Sequence, residues 1–165
     1  MTELQPLINR AVTERVLAAK GVAALVLTDP MSIYQATGYW PQTVAMGQAG
    51  AAFAIVPASA DAPVTLITSQ FLHYLHDIEA PAQGGPLDIL LYTAPDGLEG
   101  GATPPIFLPH APGGRTDPME HLTRETTLEM LDRNGTFPNA AAALQQAVAG
   151  IAGTLGTDST LVAGI

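Results

Sequence analysis

His73 and His76 stand three residues apart, with Asp77 beside the second. On a helix this spacing puts both imidazoles on one face, within reach of a single metal ion. A catalytic zinc centre needs a third protein ligand and usually a general base, and no HExxH pattern supplies them. The competing reading is a polar face or turn beside Tyr74 and Leu75. Glu120, His121 and Glu125, close to Asp117, form a second carboxylate–histidine group. On a helix His121 and Glu125 are an ordinary exposed i, i+4 pair, stabilising by roughly 0.3 kcal/mol, and Asp117 suits a helix cap better than a ligand position.

Nucleophilic and nucleotide chemistry have less support. Ser32, Ser59, Ser69 and Ser159 lie in no GxSxG elbow, so none has a local argument for catalysis. Gly47-Gln48-Ala49-Gly50 and Gly84-Gly85 are too short to cradle phosphates, and neither GxGxxG nor GxxxxGK[ST] occurs. The segment with most character is Asp29–Gln48, which gathers Tyr34, Tyr39 and the single tryptophan, Trp40, around Gly38. These aromatics either bury large apolar areas in the core or present an amphipathic surface to a ligand or partner. Tyr34, so close to a strand end, is expected in the core. Tyr39 and Trp40, beside Gly38 and Pro41, are the candidates for contact with a substrate pocket or a partner subunit.

The elements that position these residues are short. Pro6 suits the first turn of a helix capped by Gln5 or Thr2, with Leu7, Ile8, Ala11, Val12, Val16 and Ala19 at helical spacing and Gly21 as its stop. Val22–Thr28 is a continuous apolar run, as in a strand buried on both faces, stopped by Asp29-Pro30. Ala51–Val56 and Val64–Thr68 read as a hairpin across a turn rich in Pro, Ala and Asp. Leu87–Thr93 is a fourth strand, and Ile106-Phe107-Leu108 is a short fifth or a hydrophobic anchor. The Pro- and Gly-rich stretch from Ala94 to Asp117 is long for a connection in a compact domain. Asp117-Pro118 opens a helix to about Arg133, and Pro138 opens an Ala-rich helix that Gly153 or Gly156 ends. Leu161-Val162-Ala163-Gly164-Ile165 reads as the start of a last strand, and more chain is expected beyond it in the natural protein.

With 165 residues, 47% of them apolar, the chain fits one domain with a full core. Six Lys and Arg against fifteen Asp and Glu give a net charge of -9, which repels phosphate backbones and argues against nucleic-acid partners. There is no cysteine, hence no disulfide and no thiolate metal site. No apolar run approaches the roughly 20 residues that span a bilayer, and the start lacks the features of a signal peptide, so a cytoplasmic protein with no membrane partner is expected.

The run Ala24-Leu25-Val26-Leu27-Thr28-Asp29-Pro30-Met31-Ser32-Ile33-Tyr34-Gln35-Ala36-Thr37-Gly38-Tyr39 resembles the N-terminal domain of creatinases, prolidases and Xaa-Pro aminopeptidases, with their "D-P-x-x-I-Y-x-x-T-G-Y" motif after a short buried strand. The hairpin ending in Pro63-Val64-Thr65-Leu66-Ile67-Thr68 is similar to theirs, and Leu161–Ile165 is similar to their "I-G-V-E" strand. The resemblance implies an α/β domain, a mixed β-sheet flanked by helices in a ribonuclease H-like arrangement, with residues 1–165 as a single such unit. That fold name carries no nuclease activity.

In this family catalysis belongs to a C-terminal pita-bread domain that supplies two Asp, one His and two Glu to a pair of divalent metal ions (Mn, Co or Zn), and creatinases use the same domain without metals. None of that domain is in this chain. The resemblance therefore implies a chain inactive alone, a parent metallopeptidase of Xaa-Pro type, and partners in its own catalytic domain and a homodimer mate. Tyr39 and Trp40 would help close a substrate pocket, and no catalytic or metal-binding residue is assigned here. The alternative is a stand-alone binding or dimerisation module. One departure stands out: the loop Pro41–Gly47 holds no Arg or Lys, so a contact that relatives make to a substrate carboxylate has no counterpart.

Overall fold

A computed structural model describes residues 7–69, 87–92 and 136–162. The stretches 94–117, 106–108 and 117–133, together with His73, His76, Asp77, Glu120, His121 and Glu125, lie outside the described residues.

Helix α1 (Arg10–Lys20) begins later than Pro6. Its cap is Asn9, whose side chain accepts from the Val12 N–H at 3.1 Å, while Leu7 and Ile8 instead donate their N–H groups to the Gln35 carbonyl. Gly21 closes it in the left-handed conformation (φ 63°), as a Cβ-free residue does at little cost. The expected apolar stripe is not the buried one: Val12 and Val16 are exposed, and Leu17 packs inward with Thr13 and Arg10 half-buried at helical spacing from it. Arg10 and Glu14 explain that rotation. The Arg10 Nη2 donates to the Ser59 and Ala62 carbonyls at 2.6 and 3.2 Å, and Glu14 accepts from the Ala60 N–H at 3.4 Å, so α1 grips the hairpin turn through polar groups.

After α1 come β1 (Val22–Leu27), α2 (Pro30–Thr37), α3 (Gln42–Ala45), β2 (Phe53–Pro57), β3 (Val64–Ser69), β4 (Leu87–Tyr92), β5 (Thr136–Phe137), α4 (Ala140–Ala149) and β6 (Thr154–Thr157). The strands form one mixed sheet in the order β5-β4-β3-β2-β1-β6. β2 pairs antiparallel with β1 and β3, whereas β3, β4 and β5 pair in parallel, as do β1 and β6. Among the described strands β2 alone therefore runs against the rest.

The period of two along each strand sorts side chains to opposite faces. Ala54, Val56, Val64, Leu66, Leu87, Ile89 and Leu91 meet Ile33 and Ala36 of α2 on one face, and Leu25 and Leu27 join them. Ala24, Val26, Phe53, Ile55, Ile67 and Tyr92 meet Ala140, Ala143 and Leu144 of α4 on the other. The sheet is thus flanked by helices, and the continuous apolar run of β1 is explained by burial on both faces.

The carboxyl-terminal part differs most from expectation. α4 is capped by Asn139 and ends at Gly150, ahead of Gly153 and Gly156. Those glycines serve the edge strand: Gly153 adopts φ 122°, and a Cβ on Gly156 would lie 2.9 Å from Leu25 Cδ2. The strand expected at Leu161–Ile165 is absent from the described part of that stretch, because Thr160–Val162 form a 3-10 turn and the pairing with β1 is taken by Thr154–Thr157.

Candidate functional site: an exposed aromatic pair

The segment Asp29–Gln48, after β1, contains two helices. Asp29 caps α2, its carboxylate accepting from the Met31 and Ser32 N–H groups at 2.9 and 3.1 Å, and Pro30 occupies the first turn, where no N–H is needed. Ile33, Ala36 and Thr37 face the sheet. That leaves Tyr34 on the opposite side, 37% exposed rather than in the core.

Gly38 ends α2 with φ 78° and an N–H bonded to the Tyr34 carbonyl. The turn it makes sends its two successors in opposite directions. Tyr39 goes inward and is 2% exposed, its hydroxyl 3.1 Å from Thr68 Oγ1 and its N–H donating to Thr37 Oγ1 at 3.0 Å. Thr37 Oγ1 in turn donates to the Ile33 carbonyl at 2.7 Å. Trp40 goes outward, 40% exposed, and meets Tyr34 edge to face with ring centroids 6.0 Å apart and planes at 77°. Of the two residues singled out in sequence, Trp40 is on the surface and Tyr39 is part of its support. Tyr34 is the partner that sequence reasoning assigned to the core. The signal for it was the i, i+3, i+4 set Ile33, Ala36, Thr37, visible once Asp29-Pro30 is read as a helix start.

The opposite end of the same segment is held just as firmly. Asp158, after β6, accepts from the Thr28 N–H and hydroxyl at 2.8 and 2.9 Å and from the Asp29 N–H at 3.1 Å. β1, β3, β4, β5 and β6 run in one direction, so Thr28, Thr68, Ser69, Tyr92 and Asp158 share the carboxyl edge, where open α/β sheets place their ligands. Tyr92 donates its hydroxyl to the Ala51 carbonyl at 2.6 Å, and burial, with the Tyr39 phenol adding to it, pushes its pKa up to about 12.

Two aromatic faces, Tyr34 on the capped helix and Trp40 just past its end, offer contact area to apolar or cationic groups. Among the described residues no three His, Asp or Glu side chains come together as metal ligands. Among them, too, no helix is long and apolar enough to cross a membrane. Compared with known protein families, with curated proteins and with solved structures, the chain has no match in any of the three.

Proposed function

We propose that this chain is the non-catalytic N-terminal domain of a creatinase- or prolidase-like hydrolase of Xaa-Pro type, contributing to oligomer contacts and closing the substrate pocket with Trp40. The observation that carries the reading is the Tyr34–Trp40 pair, held outward by a segment most of whose motif positions are spent on structure. Asp29 and Pro30 start the helix, Ile33 and Thr37 seat it, Gly38 ends it and Tyr39 anchors the exit. Tyr34 and Trp40 are the aromatic side chains of this segment left to meet something else.

The mixed sheet with β2 opposed to the other strands supports a ribonuclease H-like assignment. The strand that pairs with β1 on its outer side is Thr154–Thr157, not the expected Leu161–Ile165. On this reading the two divalent metal ions belong to a separate catalytic domain, the protein works in the cytoplasm as a homodimer, and Trp40 from one subunit covers the apolar part of the substrate in another. The alternative, a stand-alone docking module, is favoured by the exposed Met31 on α2 and Met46 just after α3, which add apolar surface to the same Asp29–Gln48 segment.

The test uses the polypeptide encoded by the whole gene, with an Xaa-Pro dipeptide as substrate. Trp40→Ala is expected to lower kcat/KM about tenfold, about 1.4 kcal/mol of transition-state binding, with a stability loss of no more than about 1.5 kcal/mol. Cleavage insensitive to Trp40→Ala would remove the pocket role. Absence of cleavage, with light scattering showing a dimer, would favour the docking module.

A further inference from the structure

The far edge of the sheet carries a different feature, independent of the aromatic pair. Among the described residues β6 pairs with β1 alone, leaving its outer edge without a neighbouring strand. Exposed edges are commonly guarded by Lys, Pro or inward charge. Thr154-Leu155-Gly156-Thr157 has none of these, and Leu155 is 38% exposed.

Beside this edge lies a cavity of about 190 Å³ lined by Val26 of β1, Leu144 and Val148 of α4, Leu155 and Thr157 of β6, and Val162. α4 packs most heavily against β3, β4 and β5 and reaches β1 at Ala24 and Val26, and the cavity lies between its Leu144–Val148 side and β6. An apolar cavity of about 150 Å³ already accepts a benzene-sized group, so this one has room for a branched aliphatic or aromatic side chain.

The charge pattern is equally spare. Between residues 136 and 162 the only charged side chain is Asp158, at the carboxyl end of β6. Its carboxylate accepts three hydrogen bonds from Thr28 and Asp29. A carboxylate has about four lone-pair sites, so it can take one further donor.

We propose that the outer edge of β6 and the cavity beside it bind an extended peptide segment of a partner protein, which adds as a strand to β6, lodges one aliphatic or aromatic side chain in the cavity, and sets a Lys or Arg against Asp158. Strand addition of this kind takes affinity from main-chain bonds and specificity from alternate side-chain pockets. Because β6 is only four residues long, its ladder is short and the side chain in the cavity must supply much of the binding. Gly156 keeps its place because of Leu25, and its lack of a side chain also keeps the strand slim for a close neighbour.

The probe is a fluorescein-labelled peptide of alternating threonine and valine, with one central phenylalanine and a lysine at each end, titrated with the full chain. Saturable binding in the range of tens of micromolar that weakens with salt is expected. Val148→Trp, which fills the cavity, should weaken it about tenfold or more while leaving the circular dichroism unchanged. The same peptide N-methylated at alternate residues should bind at least about tenfold more weakly, because it keeps the side chains and loses ladder donors. Should Val148→Trp prove unfolded, Leu155→Lys at the same cavity is read in its place. Equal affinity for the N-methylated peptide would overturn strand addition. So would retention of binding in the cavity variants, or a cavity that admits toluene while the peptide fails to bind at millimolar concentration.

Discussion

Asp158 accepts both the backbone N–H and the hydroxyl of Thr28, at 2.8 and 2.9 Å, and so joins the ends of two parallel strands that lie 130 positions apart in the chain. Its other oxygen takes the N–H of Asp29, the residue that caps α2. One carboxylate therefore fixes the edge strand and the entry to the segment that carries Trp40. Removing it leaves the buried Thr28 without its acceptor. Asp158→Ala is expected to cost about 2–3 kcal/mol in urea unfolding, and Asp158→Asn clearly less, since the amide oxygen still accepts. A loss below about 0.5 kcal/mol for Asp158→Ala would contradict this.

Trp40 and Tyr39, adjacent in sequence, should respond to mutation in opposite ways. Trp40→Ala removes a half-exposed ring and one edge-to-face contact, worth about 0.5–1.5 kcal/mol. Tyr39→Ala empties a core position and should cost about 3–5 kcal/mol. Denaturant unfolding of both variants checks the contrast, and equal losses would mean that Trp40 is core.

Gly38 at φ 78° is the hinge of that contrast. Any Cβ there strains the backbone by about 1–2 kcal/mol. Gly38→Ala should lower stability by that amount and, by shifting the exit of α2, change the fluorescence of Trp40. A spectrum identical to wild type, with no loss of stability, would show that the left-handed turn is dispensable.

Tyr92 gives a signature at high pH. Its pKa rises from 10.0 to about 12 on burial, so the unfolded chain loses this proton first. The stability it supports is complete below pH 10 and falls as pH rises from 10 towards 12, by up to about 1.4 kcal/mol per pH unit. Unfolding free energies measured across that window should decline, and Tyr92→Phe should flatten the decline. It should also lower stability by about 1 kcal/mol at neutral pH, because the Ala51 carbonyl loses its donor.

The sheet was largely legible because its signals are local. The apolar run of β1, the hairpin of β2 and β3, and β4 all fall within a residue or two of expectation. β6 was not legible, since the four residues Thr-Leu-Gly-Thr hold one large apolar side chain and no apolar alternation, and Gly156 lies in close approach to Leu25 of β1. The rotation of α1 was hidden because it depends on distant residues: Arg10 and Glu14 reach carbonyl and amide groups of a hairpin turn about fifty residues away, which helical periodicity cannot foresee. At the site, Trp40 was found by composition, whereas Tyr34 required recognising Asp29-Pro30 as a helix start rather than a strand stop.

The most direct measurement is the sequence of the natural coding region past the codon for Ile165. An accessory half of a two-metal hydrolase predicts a further domain there, bearing spaced Asp, Asp, His, Glu and Glu residues. A stop codon directly after Ile165 would contradict the account and leave the docking module in its place.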